Sequence, residues 1–264
     1  MSLSVLSISL AFCHTKNRFI NLTLPVFLVF ISLGLYQATL GMFVIFSIIE
    51  LAGSTLNNTG THKSRFIETA TRVLQLFIAY VLYKLIIANI FIAGDYSTKF
   101  SKTIAINSDG FKILVENFHR FNGFIGSYID SIPVAILYFY MLLLVVAVYI
   151  VAKKSWRSSK SIINTITLIV LPFLFYFFSY ATFLFLENAS VTSRVMVSFS
   201  ATLIGLSFYF LIAIKNQKLK LFTLFPFFMF SYVLMTSYVN ASLAQNKKDF
   251  RIINSIYYDI SHLS

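Results

Sequence analysis

The stretch IPVAILYFYMLLLVVAVYIVA, residues Ile132–Ala152, decides the fold of this chain, and it runs directly into the basic sequence KKSWRSSK, residues Lys153–Lys160. The first stretch contains no charged residue, and about 20 residues of helix cross a hydrocarbon core about 30 Å thick. Because lipid offers no hydrogen bonds to the backbone, a segment of this kind must be helical. It therefore predicts a membrane-spanning helix that ends in a basic loop.

The composition of the whole chain agrees with a lipid environment. Of its 264 residues, 58% are hydrophobic and 11% are charged, whereas about 25% are charged in soluble domains. This excludes a water-soluble globule and a disordered chain. Four more segments have the length and apolarity of a span: Val73–Ala93, Ile162–Leu186, Val195–Ile214 and Leu221–Val239.

The uncharged stretch Phe19–Ile49 is too long for one upright helix, and its middle carries the polar and flexible residues Ser32–Gln37. We expect a break near Gly34, which would give two short helices or a re-entrant pair. One long tilted helix is the alternative. The chain is thus predicted to be an all-α polytopic integral membrane protein with seven or eight membrane helices.

The positive charge is explained by topology. The net charge is +12, and the densest basic runs lie between apolar segments, which is typical of cytoplasmic loops. We therefore expect no nucleic-acid partner. This orientation puts residues 94–131, 187–194 and the tail after Asn240 outside, and it predicts a transmembrane domain over 1–240 and an extracytoplasmic amphipathic tail over 241–264. The spacing of Phe111, Leu114, Phe118 and Ile125 predicts an outer amphipathic helix within about 108–130.

Soluble-enzyme motifs are absent from the sequence. It has no phosphate-binding glycine loop, HExxH or CxxC, and its four histidines are scattered, so we expect no cofactor and no metal. Lys84 lies inside an apolar segment, where we expect it to snorkel or to pair with a carboxylate.

Six side chains suited to a sugar substrate fall on the outer side in this topology: Tyr36, Gln37, Asp95, Tyr96, Glu187 and Arg194. A guanidinium at Arg194 suits the phosphate of a lipid-linked substrate; the alternative is an interfacial anchor paired with Glu187. Asp95 is the candidate catalytic base, and its alternative is a solvated turn. Tyr36 and Tyr96 are candidates to stack against sugar rings.

Three features resemble the GtrII-type membrane glucosyltransferases, which modify bacterial O-antigen. They are the sequence Leu33-Gly34-Leu35-Tyr36-Gln37-Ala38 in the broken stretch, the short outer loop that ends in Arg194, and Tyr238-Val239-Asn240-Ala241 before a tail with Asp249 and Asp259. The resemblance implies a fold like that of the multi-spanning (GT-C-like) glycosyltransferases. It also implies a location in the bacterial inner membrane.

The implied activity is the transfer of glucose from a polyprenyl-phosphate carrier to the O-antigen of lipopolysaccharide on the periplasmic side. Family members carry further N-terminal spans and an outer loop with paired acidic residues, whereas this chain has no acidic residue before Glu50. The resemblance therefore predicts an N-terminally shortened member. Two alternatives stay open, namely a flippase or transporter of lipid-linked sugars and an inactive truncated membrane remnant.

Overall fold

A computed structural model of the chain describes residues 2–13, 15–88, 90, 102–105, 107–130, 132–189, 191–192 and 196–262. Within these residues the regular structure is helical, apart from one isolated antiparallel bridge between Thr103 and Leu186. In chain order the helices are α1 (Ser2–Leu10), α2 (Arg18–Leu35), α3 (Leu40–Leu56), α4 (His62–Leu82), α5 (Ser108–Ile129), α6 (Val134–Ser159), α7 (Ile162–Phe178), α8 (Ala181–Leu184), α9 (Val197–Ala213) and α10 (Gln217–His262).

Four helical segments of the described residues are long and apolar enough to cross a membrane: Arg18–Leu35, Gln37–Leu56, His62–Ala88 and Val134–Ser159. The apolar helices α7 and α9 have 17 residues each, which corresponds to about 26 Å. The all-helical fold is confirmed. The total of seven or eight membrane helices stays a prediction.

The break near Gly34 is present. Helix α2 ends at Leu35, Tyr36 is extended, a 3-10 turn covers Gln37–Thr39, and α3 begins at Leu40. The alternative of one long tilted helix is therefore wrong. The two helices have different main neighbours: α2 packs chiefly against α1 and α4, whereas α3 packs chiefly against α7 and α9.

The segment Ile162–Leu186, expected to be one span, is divided. Helix α7 ends at Phe178, and the chain turns at Ser179 and Tyr180 before the short helix α8. Both turn residues are buried, and the Ser179 hydroxyl donates to the Tyr176 carbonyl at 2.6 Å. Apolarity did not reveal this turn, because no charged residue interrupts the segment there.

Helix α2 contains Pro25, which cannot donate a hydrogen bond to the carbonyl of Asn21. The buried amide of Gln75, on α4, donates instead to the Asn21 carbonyl at 3.0 Å and to the Leu22 carbonyl at 3.2 Å. Because an unsatisfied carbonyl is costly in an apolar surrounding, this side chain both repairs α2 and ties it to α4.

Helix α7 shows the same arrangement at Pro172. Its missing N–H would have served the carbonyl of Leu168, and the buried hydroxyl of Tyr209, on α9, donates to that carbonyl at 2.7 Å. The proline position is thereby joined to the neighbouring helix.

The helices of residues 1–213 produce two distinct ends. At the first, named the basic end, Arg72 forms an ion pair with Glu50, and Arg65 at the start of α4 donates to Asn164 at the start of α7. At the other, named the break end, the Ser198 hydroxyl at the start of α9 donates to the Ala38 carbonyl at 2.7 Å.

Residues Ile214–Ser264 form a second compact unit, and its described part contains the single long helix α10. Residue 240 lies inside this helix. The boundary between a membrane domain over 1–240 and a tail over 241–264 therefore does not coincide with a helix end, and it stays a prediction.

Candidate functional site

Two irregular segments from different helices meet at the break end. The amide of Gln37, in the 3-10 turn, donates a hydrogen bond to the hydroxyl of Tyr83. Tyr83 is buried and begins a π-helical turn, Tyr83–Ala88, directly after α4. Gln37 itself is exposed. Since π turns are rare and frequently occur at functional sites, this pair marks a candidate site.

A buried aromatic cluster lies beside the break, comprising Ala38, Phe121, Ile125, Tyr180, Phe183, Leu184 and Ala189. The ring of Phe121 stacks on Tyr180, with centroids 5.8 Å apart and planes inclined by 10°, and it also stacks on Phe183. Tyr36 packs against this cluster. The extended residue at the helix break is thus held against α5 and α8.

Asn117, on α5, holds the segment that follows α8. Its buried amide donates to the carbonyls of Leu184 at 3.3 Å and Leu186 at 2.9 Å. These two bonds hold the backbone immediately before Glu187. The backbone N–H of Glu187 donates to the Lys102 carbonyl at 2.9 Å, and the carboxylate pairs with the Lys102 ammonium at 2.8 Å.

The Lys102–Glu187 pair is accessible to a ligand, because the two side chains are 67% and 34% exposed, respectively. The Thr103–Leu186 bridge lies next to it. Leu186 packs against the same aromatic cluster as Tyr36. The carboxylate and the helix break therefore belong to one end of the protein.

The structure thus places three of the six candidate residues, Tyr36, Gln37 and Glu187, at the break end. Asp95, Tyr96 and Arg194 lie outside the described residues. Convergence of all six residues and the Glu187–Arg194 alternative stay predictions, whereas the described partner of Glu187 is Lys102.

The amphipathic helix predicted within about 108–130 is present as α5 (Ser108–Ile129), and its buried face agrees with the predicted one only in part, at Leu114 and Ile125. Phe111 is 67% exposed, whereas Asn117, Phe121 and Ile125 are buried. Asn117 and Phe121 were missed by the sequence analysis. The four-residue spacing of these three residues is the signal that identifies this face.

Lys102 and Tyr83 were also missed as candidate residues. Lys102 is an ordinary loop lysine in the sequence, and Tyr83 is one of fifteen tyrosines. Neighbouring Lys84 lies with its ammonium 6.0 Å from the centroid of the Tyr80 ring. The roles of Lys102 and Tyr83 depend on contacts between residues far apart in the chain, which sequence spacing does not encode.

Arg65, Arg72 and Glu50, at the basic end, are engaged in structural bonds. Arg72 holds both carboxylate oxygens of Glu50, at 2.8 and 3.0 Å, and its guanidinium lies 4.6 Å from the centroid of the Phe12 ring. Arg65 donates to Asn164 at 2.8 Å and to the Thr59 carbonyl at 3.1 Å. The cation distinguishes the two ends: the Arg72 side chain is 11% exposed, whereas the Lys102 side chain is 67% exposed.

Among the residues whose placement is described, no group of three or more His, Cys, Asp or Glu side chains is arranged to hold a metal ion. The hydrogen-bonding groups of the Gln37–Tyr83 and Lys102–Glu187 pairs are an amide, a phenol, an ammonium and a carboxylate. Such groups are able to bind hydroxyls and phosphate oxygens directly.

Apolar helices of membrane-spanning length, together with a polar and aromatic break end, define a helical membrane protein. The family model described as "Glucosyl transferase GtrII" matches residues 1–204, and the chain belongs to this family. The family implies a membrane glucosyltransferase with a sugar donor and an acceptor. The comparisons found no match among curated proteins or solved structures.

Proposed function

We propose that this chain transfers glucose from a polyprenyl-phosphate carrier to the O-antigen of lipopolysaccharide, on the periplasmic side of the bacterial inner membrane. The observation that carries the proposal is the meeting of Gln37 and Tyr83 beside the aromatic cluster, at the end of the protein opposite the basic end. Because basic loops favour the cytoplasm, the break end is the periplasmic end in this proposal.

In the proposed reaction, an acceptor hydroxyl oxygen forms a bond to the anomeric carbon of glucose. The bond between that carbon and the phosphate oxygen breaks, and polyprenyl phosphate leaves with the bonding electrons. The acceptor proton passes to a carboxylate base. Asp95 is proposed as this base.

The leaving phosphate gains negative charge, so cations nearby would stabilise it in the transition state. We assign this role to Arg194, with Lys102 as a second cation that Glu187 orients through their 2.8 Å contact. Tyr36, Tyr96 and Gln37 are assigned to the sugar, through ring stacking and hydrogen bonds to hydroxyls.

Two lysine–carboxylate pairs provide a matched test. Lys102 pairs with Glu187 at 2.8 Å, and Lys112 pairs with Asp109 at 3.2 Å. Membranes carrying each lysine-to-alanine variant would be supplied with polyprenyl-phosphate-glucose, and glucose incorporated into lipopolysaccharide would be measured. We expect Lys102→Ala to lower the rate about tenfold or more, since one charge-assisted contact contributes about 1.5–3 kcal/mol.

The Lys112→Ala control should keep the rate of the unaltered protein, because Lys112 is assigned no contact with donor or acceptor. Equal rates for the two variants would remove Lys102 from the site. Absence of incorporation by the correctly inserted, unaltered protein would contradict the transferase proposal. Movement of the donor from one leaflet of the vesicle membrane to the other, without glucose transfer, would instead identify a transporter.

A further inference from the structure

An open apolar groove with a volume of about 460 Å³ runs between α2 and α4. Both helices lie within candidate membrane spans. The groove is lined from α2 by Val26, Phe27 and Phe30, from α4 by Ile78 and Leu82, and from the following π-helical turn by Ile86, among others. Its volume lies in the range typical of small-molecule sites, about 300–1,000 Å³.

The surroundings of this groove require a hydrocarbon occupant. Phe27 is 59% exposed and Leu74 is 56% exposed, and these exposed side chains face lipid if the two helices span a membrane. Water in an apolar groove forfeits its hydrogen bonds, whereas a hydrocarbon chain restores contact with the lining atoms. A lipid chain is therefore the ligand class that fits.

The polar groups at the two ends of the groove differ. Towards the basic end, the Gln75 amide is already bonded to the carbonyls of Asn21 and Leu22. Towards the break end, Leu82 and Ile86 flank the residue Tyr83, which bonds to the exposed Gln37. A polar head group attached to a chain in the groove would meet hydrogen-bonding side chains at the break end.

We propose that this groove binds the isoprenoid tail of the lipid-linked sugar donor, with the donor phosphate at the break end. The inference rests on the proposed function, because it takes the donor from it. The groove leads along α2 from Phe30 to Leu22, a distance of about 12 Å along the helix axis. In this arrangement the isoprenoid tail enters the groove at the break end, where the sugar is transferred.

Photocrosslinking tests the occupant without requiring glucose transfer. A benzoylphenylalanine would replace Phe27 in the groove or, as the control, Phe173, which is 72% exposed on α7 and does not line the groove. The full-length protein would be placed in vesicles of phosphatidylethanolamine and phosphatidylglycerol with tritiated polyprenyl phosphate.

We expect labelling at position 27 to exceed labelling at position 173 about tenfold, which corresponds to a preference of about 1.4 kcal/mol. Unlabelled polyprenyl phosphate should compete for position 27, and added phosphatidylglycerol should not. Equal labelling at the two positions, or competition by phosphatidylglycerol, would overturn the proposal and indicate ordinary bilayer lipid in the groove.

A second measurement uses substitutions that fill space. Val26→Trp would occupy the groove, whereas Val145→Trp places the same ring on an exposed position of α6. In a transfer assay, the Val26 variant should raise KM for the donor about tenfold relative to the Val145 variant, because part of the tail contact is lost. An unchanged KM in a folded Val26 variant would overturn the proposal.

The two proposals fail in distinguishable ways. Selective labelling at position 27 without glucose transfer would retain the lipid groove and contradict the transferase. Glucose transfer with equal labelling at positions 27 and 173 would retain the transferase and contradict the groove.

Discussion

The hydroxyl of Tyr209 should stabilise the fold chiefly because Pro172 leaves the Leu168 carbonyl without its helical donor. This carbonyl accepts the Tyr209 hydroxyl at 2.7 Å, and both residues are fully buried. Tyr209→Phe removes only the hydroxyl. Pro172→Ala restores a backbone N–H that can donate to the same carbonyl.

The magnitude follows from the fate of that carbonyl. A buried acceptor left without a donor costs about 1–3 kcal/mol, whereas hydrogen bonds between membrane helices average about 0.6 kcal/mol and reach about 1.7 kcal/mol. We expect Tyr209→Phe to lower the free energy of unfolding by about 1–2 kcal/mol with proline at 172. With alanine at 172, we expect a loss of about 0.5 kcal/mol or less.

The assay is a double-mutant cycle on the free energy of unfolding, measured on the purified protein in mixed micelles as a denaturing detergent is added. Tyr138→Phe serves as the control, because Tyr138 is exposed on α6, and it should change the free energy by about 0.5 kcal/mol at most. If Tyr209→Phe costs the same with proline and with alanine at position 172, the hydroxyl does not replace the missing backbone donor.

Three further predictions concern packing and hydrogen bonding within residues 1–213. Gln75→Leu should lower the free energy of unfolding by about 1–3 kcal/mol, because it leaves the Asn21 carbonyl unsatisfied; retention of full stability in the micelle assay would contradict this. Gly41→Ala should destabilise more than Gly34→Ala, since a Cβ at Gly41 would lie 2.7 Å from the Phe178 carbonyl oxygen, whereas at Gly34 it meets the movable end of Ile87; thermal unfolding of both variants tests the order, which equal or inverted midpoints would refute. Asn117→Leu should free the segment before Glu187 and increase proteolytic cleavage there; unchanged cleavage would argue against the restraint.

The helix break and the membrane character could be predicted from the sequence for a physical reason. Apolar length decides whether a segment can cross a bilayer. The polar and flexible sequence Ser32–Gln37 identifies where the long apolar stretch is broken. Both properties are local. The turn at Ser179 and Tyr180 could not be predicted in this way, because no charged residue, glycine or proline marks it and its position depends on burial against neighbouring helices.

The candidate site was only partly accessible to sequence reasoning. Tyr36, Gln37 and Glu187 were predicted and lie at the break end, whereas Asn117, Lys102 and Tyr83 were missed. Asn117 acquires its role from carbonyls that follow α8, far away in the chain. Lys102 acquires its role from Glu187. Asp95, Tyr96 and Arg194 stay predictions.

By itself, the sequence determined the lipid environment of this protein, its helical class and the location of the helix break. Each of these depends on the free energy of placing short segments in lipid. Only the tertiary structure decided which side chains complete the backbone at Pro25 and Pro172, which carbonyls Asn117 binds, and which groups accompany Gln37 and Glu187. Those outcomes depend on which helices become neighbours, and a carbonyl can be satisfied by any donor that the packing brings within reach.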